Sequence, residues 1–219
     1  MSGDIGRLTE ELTQTGDVAS RREAASRLRD LGFARRVSLE KRGTLARAAQ
    51  SALAAHELGA LRAALEDDDR SVRLDAIMIV GDFGDATFVA ALQRHSEGRH
   101  DPEVRLAAID SLGDIGGADS VSTLTDIANA SDEEAQIRLA ALTELEELAA
   151  KRITSGPDRR FDPVGDSVAS TGEAVEQDET KRATERLRQV LRSIESETDA
   201  DDLLRLKAAD VRAYLESGV

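Results

Sequence analysis

Cysteine and tryptophan are absent from the 219 residues, and only four phenylalanines and one tyrosine are present. Without cysteine there are no disulfide staples, no thiolate metal sites and no cysteine nucleophile. With aromatics at 2% and hydrophobic residues at 40%, the core has to be assembled from Ala, Leu, Val and Ile. Side chains of that size suit closely packed helices. Proline occurs three times, and runs of alternating apolar and polar residues that would mark strands are few, so an all-α fold follows. No stretch reaches the roughly 18 consecutive apolar residues of a membrane span. The opening Met1-Ser2-Gly3-Asp4 has neither the basic nor the apolar region of a secretory signal, so a cytoplasmic location and no membrane contact are expected.

Lysine is also scarce. Only Lys41, Lys151, Lys181 and Lys207 stand among 29 basic residues, against 43 acidic ones, for a net charge of -14. A polyanion repels phosphate backbones, which argues against nucleic acid and for a basic partner. The same balance resembles cytoplasmic proteins of salt-in halophilic archaea. There, acidity is a solvation adaptation that says little about partners.

What is present is a repeat. Asp69-Arg70-Ser71-Val72-Arg73-Leu74-Asp75-Ala76-Ile77 returns as Asp101-Pro102-Glu103-Val104-Arg105-Leu106-Ala107-Ala108-Ile109, and again as Glu134-Ala135-Gln136-Ile137-Arg138-Leu139-Ala140-Ala141-Leu142. Arg73, Arg105 and Arg138 are 32 and 33 residues apart, the length of one helix-turn-helix unit. After each arginine, apolar residues three, four and seven positions on (Ala76, Ile77 and Val80 in the first copy) share one helical face. Asp69 and Asp101 stand where N-caps belong, with Pro102 at the first helical position. Gly81, Gly84, Gly113, Gly116 and Gly117 punctuate the far ends, as expected where helices stop or approach closely. A shorter apolar helix precedes each copy, marked by Leu58, Leu61 and Leu65, then Phe88, Val89 and Leu92, then Val121, Leu124 and Ile127.

Paired helices at this period, with Asp-x-x-Val-Arg opening the second and Leu-Gly-Asp-Ile-Gly closing it, resemble the HEAT-like repeat family that includes the phycobilin lyase subunits. The resemblance implies a right-handed α-solenoid, with three regular repeats over residues 57–150. It also implies that Arg73, Arg105 and Arg138 form a structural ladder. Each would bond an acidic residue of its own or a neighbouring turn, for instance Asp69, Asp101 and Glu134. The competing reading is a row of guanidinium groups that clamps phosphate or carboxylate.

Residues 1–56 read as a degenerate N-terminal cap. Asp17 and Arg21 repeat the offset of four, and Arg42 with Leu45, Ala46 and Ala49 marks a second fragment. Residues 151–177, rich in Gly, Ser, Asp and Pro, read as a flexible linker. In 178–219 two amphipathic stripes follow, Ala183, Leu187, Val190, Leu191 and Ile194, then Leu204, Ala208, Val211 and Leu215. Two helices bury too little surface to stand alone. They should dock on the last repeat, on a second copy as a homodimer, or on a partner.

Reactive constellations are sparse. His56, His95 and His100 form no HExxH pair and no i, i+4 couple, so no metal site is expected. Walker-type loops and Gly-x-Ser-x-Gly elbows are missing. No cofactor and no catalytic residue are therefore assigned. The densest basic cluster, Arg35, Arg36, Lys41, Arg42 and Arg47, is the one feature favouring nucleic acid. The reading that follows is a non-catalytic scaffold that presents a concave surface of second helices to another protein. An enzyme or enzyme subunit of the bilin-lyase type is the alternative, with a deep pocket near His56, His95 or the arginines.

Overall fold

Helices start where the repeated aspartate stands, because its carboxylate takes up N–H groups that the first turn cannot pair internally. Asp17 accepts from Ala19 and Ser20 at 3.3 and 3.1 Å. Asp69 accepts from Ser71 and Val72 at 3.1 and 3.2 Å, Asp101 from Glu103 at 2.9 Å, and Asp201 from Leu203 at 2.8 Å. The last of these lies in the C-terminal segment. There Asp201-Asp202-Leu203-Leu204-Arg205-Leu206-Lys207-Ala208-Ala209 is a further, degenerate copy of the repeat signature.

The computed structural model describes residues 2–14, 16–42, 53–83, 86–98, 101–155, 172–197 and 200–217. The helices are α1 (Ser2–Gln14), α2 (Val18–Arg42), α3 (Ala55–Leu65), α4 (Arg70–Phe83), α5 (Val89–Ser96), α6 (Pro102–Ile115), α7 (Gly117–Asn129), α8 (Ala135–Ser155), α9 (Gly172–Ser196) and α10 (Asp202–Ser217). A 3-10 turn, Ala86–Phe88, leads into α5. Odd and even helices pair, and the pairs stack. The second helices form one continuous row, α2 on α4, α4 on α6, α6 on α8 and α8 on α10. Among the first helices α1 packs on α3 and α7 on α9. The chain is an all-α solenoid.

The apolar positions of the repeat make its core. Val72, Ala76, Ile77 and Val80 of α4, Val104, Ala108, Ile109 and Leu112 of α6, and Ile137, Ala141, Leu142 and Leu145 of α8 are all buried. Each fully buried Leu, Ile or Val contributes roughly 1.5–3 kcal/mol from the area it withdraws from water. The glycines divide into two uses. Gly116 and Gly117, at φ 66° and 82°, end α6 and turn the chain into α7 in a region that side chains avoid. Gly81 and Gly113 lie inside helices, at close approaches. A Cβ on Gly81 would stand 3.0 Å from the Ser111 Cα, and one on Gly113 would meet the Glu144 side chain.

The terminal segments extend the same stack. Helix α2 is continuous through Arg42, with Ala24, Ala25 and Leu28 buried against the array. The expected fragment beyond Arg42 lies outside the described residues. At the other end Leu187, Val190, Leu191 and Ile194 of α9, and Leu204, Ala208 and Val211 of α10, are buried. They pack on α7 and α8. These stripes therefore dock on the last repeat of the same chain, while Leu203, Leu206 and Tyr214 of α10 remain exposed. Helix reaches Ser155 and resumes at Gly172, so the 151–177 boundaries meet helix at both ends. Residues 156–171 lie outside those described.

Candidate functional site

Two arrangements of arginine and carboxylate bear on function. The first runs along the edge where helices end. Arg73 donates to the Asp67 and Asp68 carbonyls just beyond α3, at 2.6 and 2.9 Å. Arg105 donates through Nε to the Ser96 carbonyl ending α5, at 2.9 Å, and Arg138 to the Ala128 carbonyl near the end of α7, at 2.9 Å. Each thus supplies a donor to carbonyls that the helix end leaves unpaired. Two of the three also reach forward. Arg105 pairs with Glu133 in the α7–α8 loop. Arg138 grips both oxygens of Glu197, between α9 and α10, at 3.3 and 2.8 Å. Arg21 makes the same forward contact to Asp67, at 2.9 and 3.2 Å. Arg205 makes the same backward contact to the Glu197 carbonyl, at 3.1 Å.

The partners differ from those expected. Asp69 and Asp101 turn their carboxylates to their own helix N–H groups. Their ion pairs are with Arg22, at 2.6 Å, and Arg70, at 3.0 Å, both from the preceding pair. Glu134 contributes its carbonyl, which receives the Arg138 N–H at 3.1 Å. The reason is directional. An arginine four residues along the helix lies over the turn before it, beside the preceding helix end, while the cap carboxylate faces the helix axis. Arg22, with the Val72 and Ser71 N–H groups, holds the Asp69 carboxyl at about 2. Burial works to raise the Glu133 carboxyl, but the Arg105 bond and the Glu134 N–H leave it below its ordinary value. The Arg138 bond lowers Glu197. The Arg105 and Arg138 side chains are 4% and 5% exposed, too enclosed to clamp a ligand.

The second arrangement lies on the face of the second helices. There α2, α4 and α6 enclose a cleft of about 240 Å³. Arg36 of α2 crosses it, pairing with Asp82 of α4 at 3.0 Å and with Asp114 of α6. Its guanidinium carbon lies 5.8 Å from the Phe33 ring centroid. Asp110 of α6 also lines the cleft, and Phe33 and Met78 stand at it, 55% and 38% exposed. Burial, reinforced by Asp114 and Asp110 against the pull of Arg36 and Arg29, pushes the Asp82 carboxyl up to about 6. Arg29 is engaged by Asp75 at 2.6 Å.

The remaining candidates do not converge. His95 is buried at the end of α5, its Nε2 4.0 Å from Glu66. His56 lies exposed on α3, and His100 lies outside the described residues. Of the basic cluster, Arg36 belongs to the cleft, while the side chains of Arg35, Lys41, Arg42 and Arg47 are not among those described. Among the described residues no group of three or more His, Asp or Glu side chains is placed to hold a metal ion. No described helix is long and apolar enough to cross a membrane.

Stacked helix pairs, arginines capping the ends of α3, α5, α7 and α9 and glycines at the close approaches recur from pair to pair. Residues 58–146 match the family model for HEAT repeats. This stretch is similar to a HEAT-repeat array. It corresponds to α3 through most of α8, and the cleft straddles its N-terminal border, with α2 supplying one wall and the HEAT helices α4 and α6 the others. No curated protein matches the chain.

Proposed function

We propose that this HEAT-repeat chain is a non-catalytic protein-interaction scaffold that engages its partner on the face of the second helices, at the cleft between α2, α4 and α6. One observation carries the reading. The aliphatic core is closed, yet Phe33 and Met78 stand exposed side by side with a small charged cleft. Adjacent exposed apolar side chains beside a pocket suit an anchor residue of another protein. At about 240 Å³ the cleft is below the roughly 300–1,000 Å³ of pockets that enclose small-molecule substrates. It has room for one or two side chains. The acid surplus over the rest of the surface is read as a salt adaptation, and the location as cytoplasmic.

The test uses the full chain and a Phe33→Asp/Met78→Asp variant, immobilised in extract of the source cell at its own ionic strength. Proteins retained by the wild type are purified and titrated against both forms. Binding to the wild type that weakens at least about tenfold in the variant is the expected outcome. Equal binding to both forms would remove this face from the proposal. Consumption of an extract metabolite by the purified chain would favour the enzyme reading.

A further inference from the structure

The C-terminal end of the stack keeps the residues by which one helix pair docks on the next. Two positions of the repeat face forward along the row of second helices. The first lies eight residues after the ladder arginine. There Gly81 of α4 stands against Ser111 of α6, and Gly113 of α6 against Glu144 of α8. Glu146 of α8 holds the same position and pairs with Lys207 of α10. The second position lies two helical turns earlier, one residue after the arginine, and so on the same face. It is leucine in every copy, Leu74, Leu106, Leu139 and Leu206.

Leu74, Leu106 and Leu139 are partly buried against the core, and another second helix stacks on each of α4, α6 and α8. Among the described helices α10 packs on α8 and α9. Its buried Leu204, Ala208 and Val211 face them, and the opposite side is open. On that side Leu206 is 61% and Leu203 55% exposed, and Ala213, in the place of Gly81 and Gly113, is exposed as well. The two ends of the row therefore differ. Opposite its buried Ala24, Ala25 and Leu28, α2 presents Glu23, Arg27 and Asp30, the polar outer face that closes a repeat array. Helix α10 keeps the forward leucine and a small residue that lets a further helix come close.

We propose that the outer face of α10 joins two copies of this chain about a twofold axis, each Leu206 seated over Ala213 of the other copy. The contact continues the row of second helices at the end that lacks a polar face, apart from the cleft between α2, α4 and α6. The pattern is self-complementary. Leu206 and Ala213 lie about 10 Å apart along one line of the helix, so an antiparallel copy sets the large residue of each over the small residue of the other. Such a contact closes at two copies, whereas head-to-tail stacking would bring the polar side of α2 onto the leucines and would not close. One helix pair makes a small interface, so a dissociation constant on the order of 10 μM is expected. The axis also brings the exposed Asp210 near its own copy, a repulsion that salt screens.

Sedimentation equilibrium of the full chain, from about 1 to about 300 μM at moderate and at high salt, reads the mass directly. The expected result is a monomer–dimer equilibrium that tightens with salt and in Asp210→Asn. Leu206→Glu and Leu203→Ser, at exposed positions that leave the melting temperature unchanged, should each weaken it at least about tenfold. Because the chain has no cysteine, single replacements report which residues meet. A mixture of Leu206→Cys and Ala213→Cys chains should form a disulfide-linked dimer on oxidation, far more readily than either chain alone or Leu206→Cys mixed with Glu66→Cys.

A chain that stays monomeric throughout overturns the dimer and leaves the face to a different macromolecule. Association equally strong in Leu206→Glu overturns the surface. Growth beyond two copies contradicts the twofold contact, as does cross-linking that is no better in the mixture than in the separate chains.

Discussion

The edge of helix ends and the cleft on the second-helix face use the same two groups, guanidinium and carboxylate, and reach opposite results. On the edge, Arg105 and Arg138 each meet a helix-end carbonyl and one carboxylate of the next pair, so charge and hydrogen bonding close locally. In the cleft, one guanidinium bridges Asp82 of α4 and Asp114 of α6 with Asp110 alongside, beside the exposed Phe33 and Met78. Pairing that closes holds repeats together. Pairing beside exposed apolar side chains leaves a surface that another molecule can cover.

The largest expected effect is on the edge. Arg138→Ala strips a donor from the Ala128 carbonyl and both bonds from Glu197, and breaking so enclosed a pair costs about 3–5 kcal/mol. Urea unfolding measures it, and a loss under about 1 kcal/mol would put the ladder among ordinary surface pairs. Partner binding at the cleft should survive in the folded fraction.

Next comes Gly81→Ala, on the helix that walls the cleft. Helix propensity alone favours alanine by about 1 kcal/mol. Contact at 2.8–3.0 Å with Ser111 across to α6 costs about 1–3 kcal/mol through overpacking. Net destabilisation is therefore expected, and a more stable variant would mean that α4 and α6 separate easily at the cleft floor.

A smaller effect separates the two regions by pH. Asp82 has its folded pKa raised to about 6 from 3.8, so the folded state binds the proton more tightly than the unfolded one. Stability from this group rises as pH falls through about 6, amounting to about 1 kcal/mol between roughly pH 7 and pH 5. The edge carboxylates Asp69, Glu133 and Glu197 are lowered. Their contribution is present above ordinary carboxylate values and is lost only in stronger acid. Thermal melts of the wild type should rise modestly towards about pH 5 and those of Asp82→Asn should not. The smallest effect belongs to Arg22→Ala. That side chain is 56% exposed, and losing its pair with Asp69 should leave the urea midpoint almost unchanged.

Most of the fold was legible because the repeat writes its period and its cap in residue types. The spacing of Arg73, Arg105 and Arg138 located α4, α6 and α8, and Asp69 and Asp101 located two helix starts. The fifth pair was read as two amphipathic helices, but its kinship with the repeat was hidden. Arg205 follows Arg138 only after the long segment between α8 and α9, which breaks the period, although Asp201-x-x-Leu-Arg205 keeps the local signature. The ladder's acceptors were not legible either. Asp67, Glu133 and Glu197 occupy different offsets from the repeat, since loops of unequal length carry them to one place. The cleft was the least readable element. Arg36 looks like a member of a basic run in sequence, and only stacking of α2 on α4 and α6 delivers it to Asp82 and Asp114. A signal existed in Phe33, one of only four phenylalanines, placed beyond the buried stripe of Ala24, Ala25 and Leu28.

Amide hydrogen exchange on the full chain, with and without a saturating purified partner, separates the two regions in one experiment. The account predicts added protection in α2 around Phe33–Arg36, α4 around Met78–Asp82 and α6 around Asp110–Asp114, with the α3–α4, α7–α8 and α9–α10 loops unchanged. Protection gathered on those loops, with the cleft segments unaltered, would contradict it.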